Sequence, residues 1–390
     1  MYAGKTIFRQ LMEVVPKYEF QKIVKRHHGN YRVRKFTCRE QFFCMCFGQL
    51  AFRDSLRDVT TTLNALDSKR YHLGLTNKIP LSTFSDANAH RPWQMYQDLA
   101  MLLVDQARSL YGNRPAELEE EVKQVFALDS TTIDLCLSLF PWARFHHSKG
   151  AIKMHTLMDL QGAIPLFIHI TPGRVNDMNV LDQIPIQPGA VYIMDRGYID
   201  FSRLHRIHTQ GGQFVIRAKK NLKFYRKSSS PVDSSTGLRC DQIIRLTTPK
   251  TKKDYPNILR RVHVIDTDNH QDIVILTNIF SSTASQIADY YKQRWQIELF
   301  FKWIKQHLRI KAFYGQSINA VKTQIWTAVC TYMILIIIQK RFEFTVNLHT
   351  MMQVLSVSLL ERMPITELFA DPKLTETMEP NANQLGLFDS

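Results

Sequence analysis

Residues 291–309, YKQRWQIELFFKWIKQHLR, constrain this chain more than any other stretch. Wound as one α-helix at about 100° per residue, they bring Tyr291, Arg294, Glu298 and Lys305 within about 60° of arc, while Ile297, Phe301, Ile304 and Leu308 form a separate apolar stripe. One helix is therefore expected to offer a packing face and, beside it, a carboxylate among cations. Lys302 and Arg309 extend the basic strip. Such a face is either solvated surface, with Arg294 and Glu298 paired at i, i+4 for roughly a few tenths of a kcal/mol, or a seat for a polyanion beside a metal ion.

Far upstream, two short apolar runs each end at an aspartate. VFALDSTTI places Asp129 after residues 125–128, and VYIMDRGYID places Asp195 after residues 191–194. Taken singly, each is an ordinary turn former or N-cap. Taken with Glu298, they make three carboxylates on two strand ends and one helix, the oxygen-rich set that hard divalent cations require. Two such ions roughly 4 Å apart activate an attacking oxygen and stabilise a leaving one in phosphoryl transfer.

The gaps separating Tyr291, Arg294, Glu298 and Lys305 resemble the Tyr-Arg-Glu-Lys signature of the IS4 family of bacterial DDE transposases, and LDST at Asp129 and DRGY at Asp195 are also similar to that family. The resemblance covers about residues 120–310. It implies an α/β fold: a ribonuclease-H-like catalytic core with a β-rich insertion, preceded by an all-helical DNA-binding domain. It implies Asp129, Asp195 and Glu298 as catalytic metal ligands, for two Mg²⁺ ions with Mn²⁺ as a substitute. Arg294 and Lys305 would hold phosphates and Tyr291 the transferred strand, with Lys302 and Arg309 on the same DNA path. The implied activity is cleavage at terminal inverted repeats and joining of 3′-hydroxyl ends to target DNA, by a homodimer on double-stranded DNA. A nuclease that does not join ends, and a catalytically silent DNA-binding protein, are the alternatives. In relatives a tryptophan of the insertion stacks on a flipped base. Here Trp93, Trp142, Trp295, Trp303 and Trp326 all lie outside it, which leaves Phe224 or Tyr255 for that role.

The charge agrees with a nucleic-acid partner. Lys and Arg total 50 against 35 acids, a formal +15, and phosphate is the commonest partner for such a surplus, ahead of a membrane surface. Residues 21–39 contain Lys22, Lys25, Arg26, Arg32, Arg34, Lys35 and Arg39 with no acid, interleaved with Tyr31 and Phe36. Lys5, Arg9 and Glu13 interrupt the opening residues, so no secretory leader is expected. The longest apolar run, 328–338, is about half a bilayer span and is expected to be a buried core helix, with no membrane partner. The six cysteines show no zinc spacing and are expected to be reduced thiols in a bacterial cytoplasm, at the nucleoid.

In chain order, residues 1–115 are expected to be a helical DNA-binding domain. Thr37 and Glu40 have capping-box spacing, and residues 81–90 form a short helix whose Ser82, Ser85, Asp86 and Asn88 are either base-reading positions or caps. Residues 116–219 follow the order strand, strand, strand, helix, strand, helix, strand, the first part of the catalytic core. Residues 220–282 are a β insertion, 283–345 the second part of the core with the Glu298 helix, and 346–390 a helical segment and tail. His146, His147, Lys149 and Lys153 either line the DNA path or form a solvated strand edge. In the tail, Gln384, Leu385, Leu387 and Phe388 of QLGLF resemble the peptide by which bacterial proteins dock on the DNA-polymerase sliding clamp.

Overall fold

The computed structural model describes residues 4–112, 124–145, 149–266, 271–307 and 313–370. Helices come first: α1 (Ile7–Met12), α2 (Lys17–Arg26), α3 (Cys38–Leu50), α4 (Leu56–Ala65), α5 (Leu81–His90) and α6 (Gln94–Ser109). The capping box at the start of α3 forms in both directions. The Thr37 hydroxyl accepts from Glu40 N at 3.2 Å, and the Glu40 carboxylate accepts from Thr37 N at 2.8 Å.

Extended structure follows, as β1 (Gln124–Leu135), β2 (Gly150–Asp159), β3 (Ile164–Pro172), β4 (Ala190–Met194), α7 (Phe201–Thr209), β5 (Gln213–Arg217), β6 (Phe224–Ser230), β7 (Leu238–Leu246), α8 (Pro249–Asp254), β8 (Leu259–Asp266) and β9 (Gln271–Thr277). Then come α9 (Ala284–Lys292), α10 (Trp295–His307), α11 (Ile318–Arg341), α12 (Leu348–Ser358) and α13 (Ile365–Leu368). The described residues divide into a helical unit, residues 1–110 with 303–390, and a sheet unit, residues 111–302.

In the sheet unit one sheet runs in the order β3-β2-β1-β4-β5-β9-β8-β7-β6. The pairs β1/β4 and β4/β5 are parallel and all other neighbours antiparallel. Every residue of β4, AVYIM, is buried, as a central parallel strand covered on both faces requires. Phe126, Leu128, Tyr192, Met194, Phe214 and Ile216 pack with Leu204 and Ile207 of α7 in the core. Between β2 and β3, Gly162 (φ +84°) and Ala163 (φ +51°) both turn through the left-handed region. A Cβ on Gly162 would lie 2.5 Å from the Tyr111 ring, so the turn has room only for glycine.

Three sequence expectations change. β1 does not end at Asp129 but continues to Leu135, because β2 pairs with it from Phe126↔Asp159 to Leu135↔Gly150. The helix expected over 291–309 is two helices. α9 ends at Lys292, a turn follows in which Arg294 N bonds to Tyr291 O, and α10 begins at Trp295 with Ile297 N bonded to Arg294 O in its first turn. Residues 220–282, expected as a β insertion, extend the same sheet, since β9 pairs with β5 through Val215↔Thr277 to Arg217↔Ile275. Its β7 and β8 are joined by a buried pair, with the Arg260 guanidinium on both Asp241 oxygens at 2.9 and 2.8 Å. Finally, residues 303–341, expected with the catalytic core, pack in the helical unit, where α11 lies against α6, α3 and α5. α11 is long and apolar enough to cross a membrane. It is buried along nearly its whole length, as expected for residues 328–338.

A fully buried histidine on β2 sets a pH dependence. His155 Nε2 lies 2.9 Å from Thr171 Oγ1 and its Nδ1 3.5 Å from Asp177. Burial drives its pKa from 6.5 down to about 4, against the pull of Asp177. Between those values the unfolded chain holds a proton that the folded chain does not, so stability is present above about pH 6.5 and is lost as pH falls to about 4. The full loss is roughly 3 kcal/mol. We expect His155→Gln to lose less of its thermal midpoint between pH 7 and pH 5 than the native chain. Equal losses would show that this histidine is not held neutral.

Candidate functional site

The parallel ladder of β1 and β4 runs from Gln124↔Ala190 to Leu128↔Met194 and stops there. The next pair in register is Asp129 and Asp195. Neighbouring strands lie about 4.8 Å apart, so the pairing alone sets two carboxylates side by side at one end of the ladder. Asp195 is held there as the chain leaves β4 for a 3₁₀ turn, with Tyr198 N bonded to its carbonyl at 3.0 Å. Asp129 Oδ1 accepts from Ser130 N at 2.8 Å.

The third carboxylate comes from the first turn of α10, and a single guanidinium ties it in. Arg294 Nη1 lies 3.0 Å from Asp129 Oδ2, and Nη2 lies 2.5 Å from Glu298 Oε1. Tyr291, in the last turn of α9, donates its hydroxyl to Asp195 Oδ1 at 3.5 Å. Its ring centre is 5.8 Å from the Arg294 guanidinium. The break between α9 and α10 thus lets Tyr291 reach one aspartate and Arg294 the other.

Burial pushes the Asp129 carboxyl up to about 6; Arg294 and the Ser130 amide oppose the rise, and Glu298 and Asp195 add to it. Burial works against the Arg294 charge too, but Tyr291, Glu298 and Asp129 outweigh it and hold the guanidinium above its ordinary value. Three carboxylates gather around one guanidinium, and the donors are hard oxygens, a combination that suits a divalent cation. Among the described residues no three His, Cys, Asp or Glu side chains stand close enough to share an ion in this conformation. Arg294 bridges Asp129 and Glu298, so a cation held by both requires the guanidinium to move.

Sequence reasoning missed a second layer behind Asp129. The Ser130 hydroxyl donates to Asp177 Oδ1 at 2.8 Å, and Lys153 Nζ reaches the same carboxylate at 3.2 Å and the Val175 carbonyl at 3.2 Å. Asp177 opens a 3₁₀ turn capped by Asn176, so its sequence position reads as that of an ordinary turn residue. Lys153 is accordingly neither a solvated edge nor part of an open DNA path. Of its expected companions, Lys149 is exposed, while His146 and His147 lie outside the described residues. Beside Asp195, Tyr198 is buried, whereas Arg196 is exposed. Burial and then Asp129 push the Tyr198 phenol up.

The other expected residues are spread more widely. Lys302 is exposed on α10, Lys305 is half-buried, and Arg309 lies outside the described residues. Trp303 stacks edge-on against Tyr332, ring centres 5.0 Å apart, as a packing residue does, whereas Trp295 is exposed. Tyr255 cannot stack on a base, being buried with its hydroxyl 2.7 Å from His208 Nδ1. Phe224 is half-buried under Arg261. In the basic stretch Lys22, Lys25, Arg26, Arg32, Arg34 and Lys35 are all exposed. Two of them meet acids from outside it, Lys22 with Glu19 at 3.2 Å and Arg26 with Asp98 at 2.6 Å. On α5, Ser82, Ser85 and Asp86 are exposed, but Asn88 is buried and accepts from Gln41 Nε2 at 2.7 Å, so it reads no base. Gln384, Leu385, Leu387 and Phe388 lie outside the described residues.

Comparison with known proteins supplies the family. Residues 120–334 match the model of the Transposase DDE domain, and residues 3–76 match a domain of unknown function, DUF4372. Similar chains include the "Putative transposase y4zB" of Sinorhizobium fredii, 33 % identical over 293 residues, 74 % of this chain and 80 % of that one. The "Probable transposase for insertion sequence element IS5377" of Geobacillus stearothermophilus is 28 % identical over 337 residues, 85 % of this chain and 84 % of that one. The "Putative transposase for insertion sequence element IS4SA" of Synechocystis is 28 % identical over 269 residues, 66 % of this chain and 71 % of that one. With a family model across more than half of its length, and with two aspartates in register beside a glutamate, the chain belongs to the DDE transposases and is a DNA transposase.

Proposed function

We propose that this transposase cuts double-stranded DNA at the terminal inverted repeats of its own insertion sequence and joins the freed 3′-hydroxyls to target DNA. Asp129, Asp195 and Glu298 are its catalytic residues. The observation that carries this reading is the register of β1 against β4, which sets Asp129 beside Asp195, together with the Arg294 bridge from Asp129 to Glu298. The strand order β3-β2-β1-β4-β5 supports a ribonuclease-H-like core, with residues 220–282 as its insertion and the leading helices as a DNA-binding domain. The spacing from Tyr291 to Lys305 and the likeness to the IS4SA protein support the IS4 family.

The chain's own residues position the reactants. Incoming phosphates offer Arg294 a partner that frees Asp129 and Glu298, so the guanidinium exchanges carboxylates for the backbone beside the scissile bond. Tyr291 holds Asp195 and lies against the transferred strand, while Lys302, Lys305 and Arg309 track the same backbone. Two Mg²⁺ ions, or Mn²⁺, held by Asp129, Asp195 and Glu298, would supply activation of the attacking oxygen and stabilisation of the leaving one. Lys22, Lys25, Arg26, Arg32, Arg34 and Lys35 hold the terminal repeat, two chains act as a dimer bridging two ends, and the protein works in the bacterial cytoplasm at the nucleoid. Gln384, Leu385, Leu387 and Phe388 dock it on the sliding clamp.

Asp129→Asn and Glu298→Gln should each lower metal-dependent end cleavage by about 10³-fold or more, with affinity for a terminal-repeat duplex held within about threefold. Cleavage that survives either change would remove that residue from the site. Joining of a pre-cut end separates a transposase from a nuclease, and the native chain should perform it. Replacing Arg32, Arg34 and Lys35 with alanine should reduce the slope of log K against log salt by about 0.9 for each phosphate that is no longer neutralised. An unaltered slope would take this stretch out of the DNA interface.

A further inference from the structure

The helical unit contains a cavity of about 460 Å³ whose lining includes Lys17, Phe20, Val24, Lys25, His28, Tyr31 and Arg39, with no acid among its lining residues. Its size falls among clefts that enclose one small organic ligand. Phe20 and Val24 make an apolar floor and are themselves buried. Above them Tyr31 is 69 % exposed, a large aromatic ring presented to solvent at the mouth. Lys17, Lys25 and Arg39 share the lining with polar Gln21, Asn30 and Thr37.

The backbone at the mouth is fixed in an uncommon form. His28 (φ +53°) and Arg32 (φ +57°) both occupy the left-handed region without being glycine, a conformation that persists only where surrounding structure enforces it. Gly29 between them is packed so closely on α6 that a Cβ there would lie 2.1 Å from Met95 Sδ. Asn30 Oδ1 accepts from Cys38 N at 2.8 Å and ties the turn to α3. Tyr31 and His28 are thereby held at the rim rather than folded inward, and Arg32 lies 5.1 Å from the Tyr31 ring centre.

We propose that this cavity binds one unstacked nucleotide of single-stranded DNA. The base lies between the Tyr31 ring and the Phe20–Val24 floor, and its flanking phosphates meet Lys17, Lys25 and Arg39. A duplex backbone alone makes no use of an apolar floor, whereas a base removed from its stack does, and aromatic platforms with flanking cations bind single strands through these two contacts. The proposal rests on the reading above that residues 21–39 face DNA, and it adds Lys17 and which strand form they select.

The test is fluorescence anisotropy of the full-length chain with a labelled single strand and, separately, with the terminal-repeat duplex. Tyr31→Ala should weaken single-strand binding about tenfold and duplex binding by less than about threefold, with Tyr31→Phe retaining the native ratio. Lys17→Gln should reduce the single-strand salt slope by about 0.7. A 2-aminopurine in the strand should be quenched by the native chain and not by Tyr31→Ala. Equal loss on both DNA forms, or loss on neither, overturns the pocket while leaving the duplex interface standing. Failure of the native chain to bind either DNA overturns both readings.

Discussion

Two aspartates separated by more than sixty residues become neighbours because β1 and β4 pair in parallel and in one register. Shifting that register by a single residue would move every side chain of β4 to the opposite face. Tyr192 and Met194 would leave a core in which they pack with Phe126, Leu128 and Phe214. Hydrophobic burial on both faces of a five-residue strand therefore specifies where Asp195 stands. The placement of the two aspartates depends on packing in which neither takes part.

The electrostatics of the site follow from the same burial. Asp129 is sunk deeply enough that its carboxyl is driven up to about 6, and the protein compensates with one guanidinium shared between two acids instead of a cation for each. Arg294 sits in the turn between α9 and α10, and from there its two Nη atoms reach Asp129 and Glu298. In one uninterrupted helix, Arg294 and Glu298 would share an exposed face, and a pair of that kind is worth little. The turn carries the guanidinium to Asp129, and with it the connection between strand and helix.

Much of this is legible in the sequence. Apolar runs ending at aspartates locate the ladder's end on two strands, and the spacing in residues 291–309 brings in the third acid. The Thr37 and Glu40 box marks the start of α3 to the residue. What is not legible depends on pairing between distant segments. Nothing local to VFALDSTTI indicates that β2 will carry the strand on to Leu135. Helical periodicity continues through Gln293 and Arg294, so the break between α9 and α10 has no mark of its own. Asp177 looks like an ordinary turn residue, and only the approach of β1 and β2 reveals its hold on Ser130 and Lys153. β6, FYRKSSS, gives no strand signal because its half-exposed or exposed residues show no alternation.

The pairing of β9 with β5 bears on how this architecture can vary. A segment that reads in the sequence as an insertion is, in hydrogen bonds, a continuation of the sheet beyond β5. Excising residues 220–282 would strip β5 of its neighbour and leave the edge of the parallel ladder open to other chains. Length can change without such a consequence at the far margin, around the turn that carries Ser234–Thr236 between β6 and β7. Divergence in this region should therefore accumulate as outer hairpins added to or trimmed from a constant β5–β9 seam, growing outward from it rather than being exchanged whole.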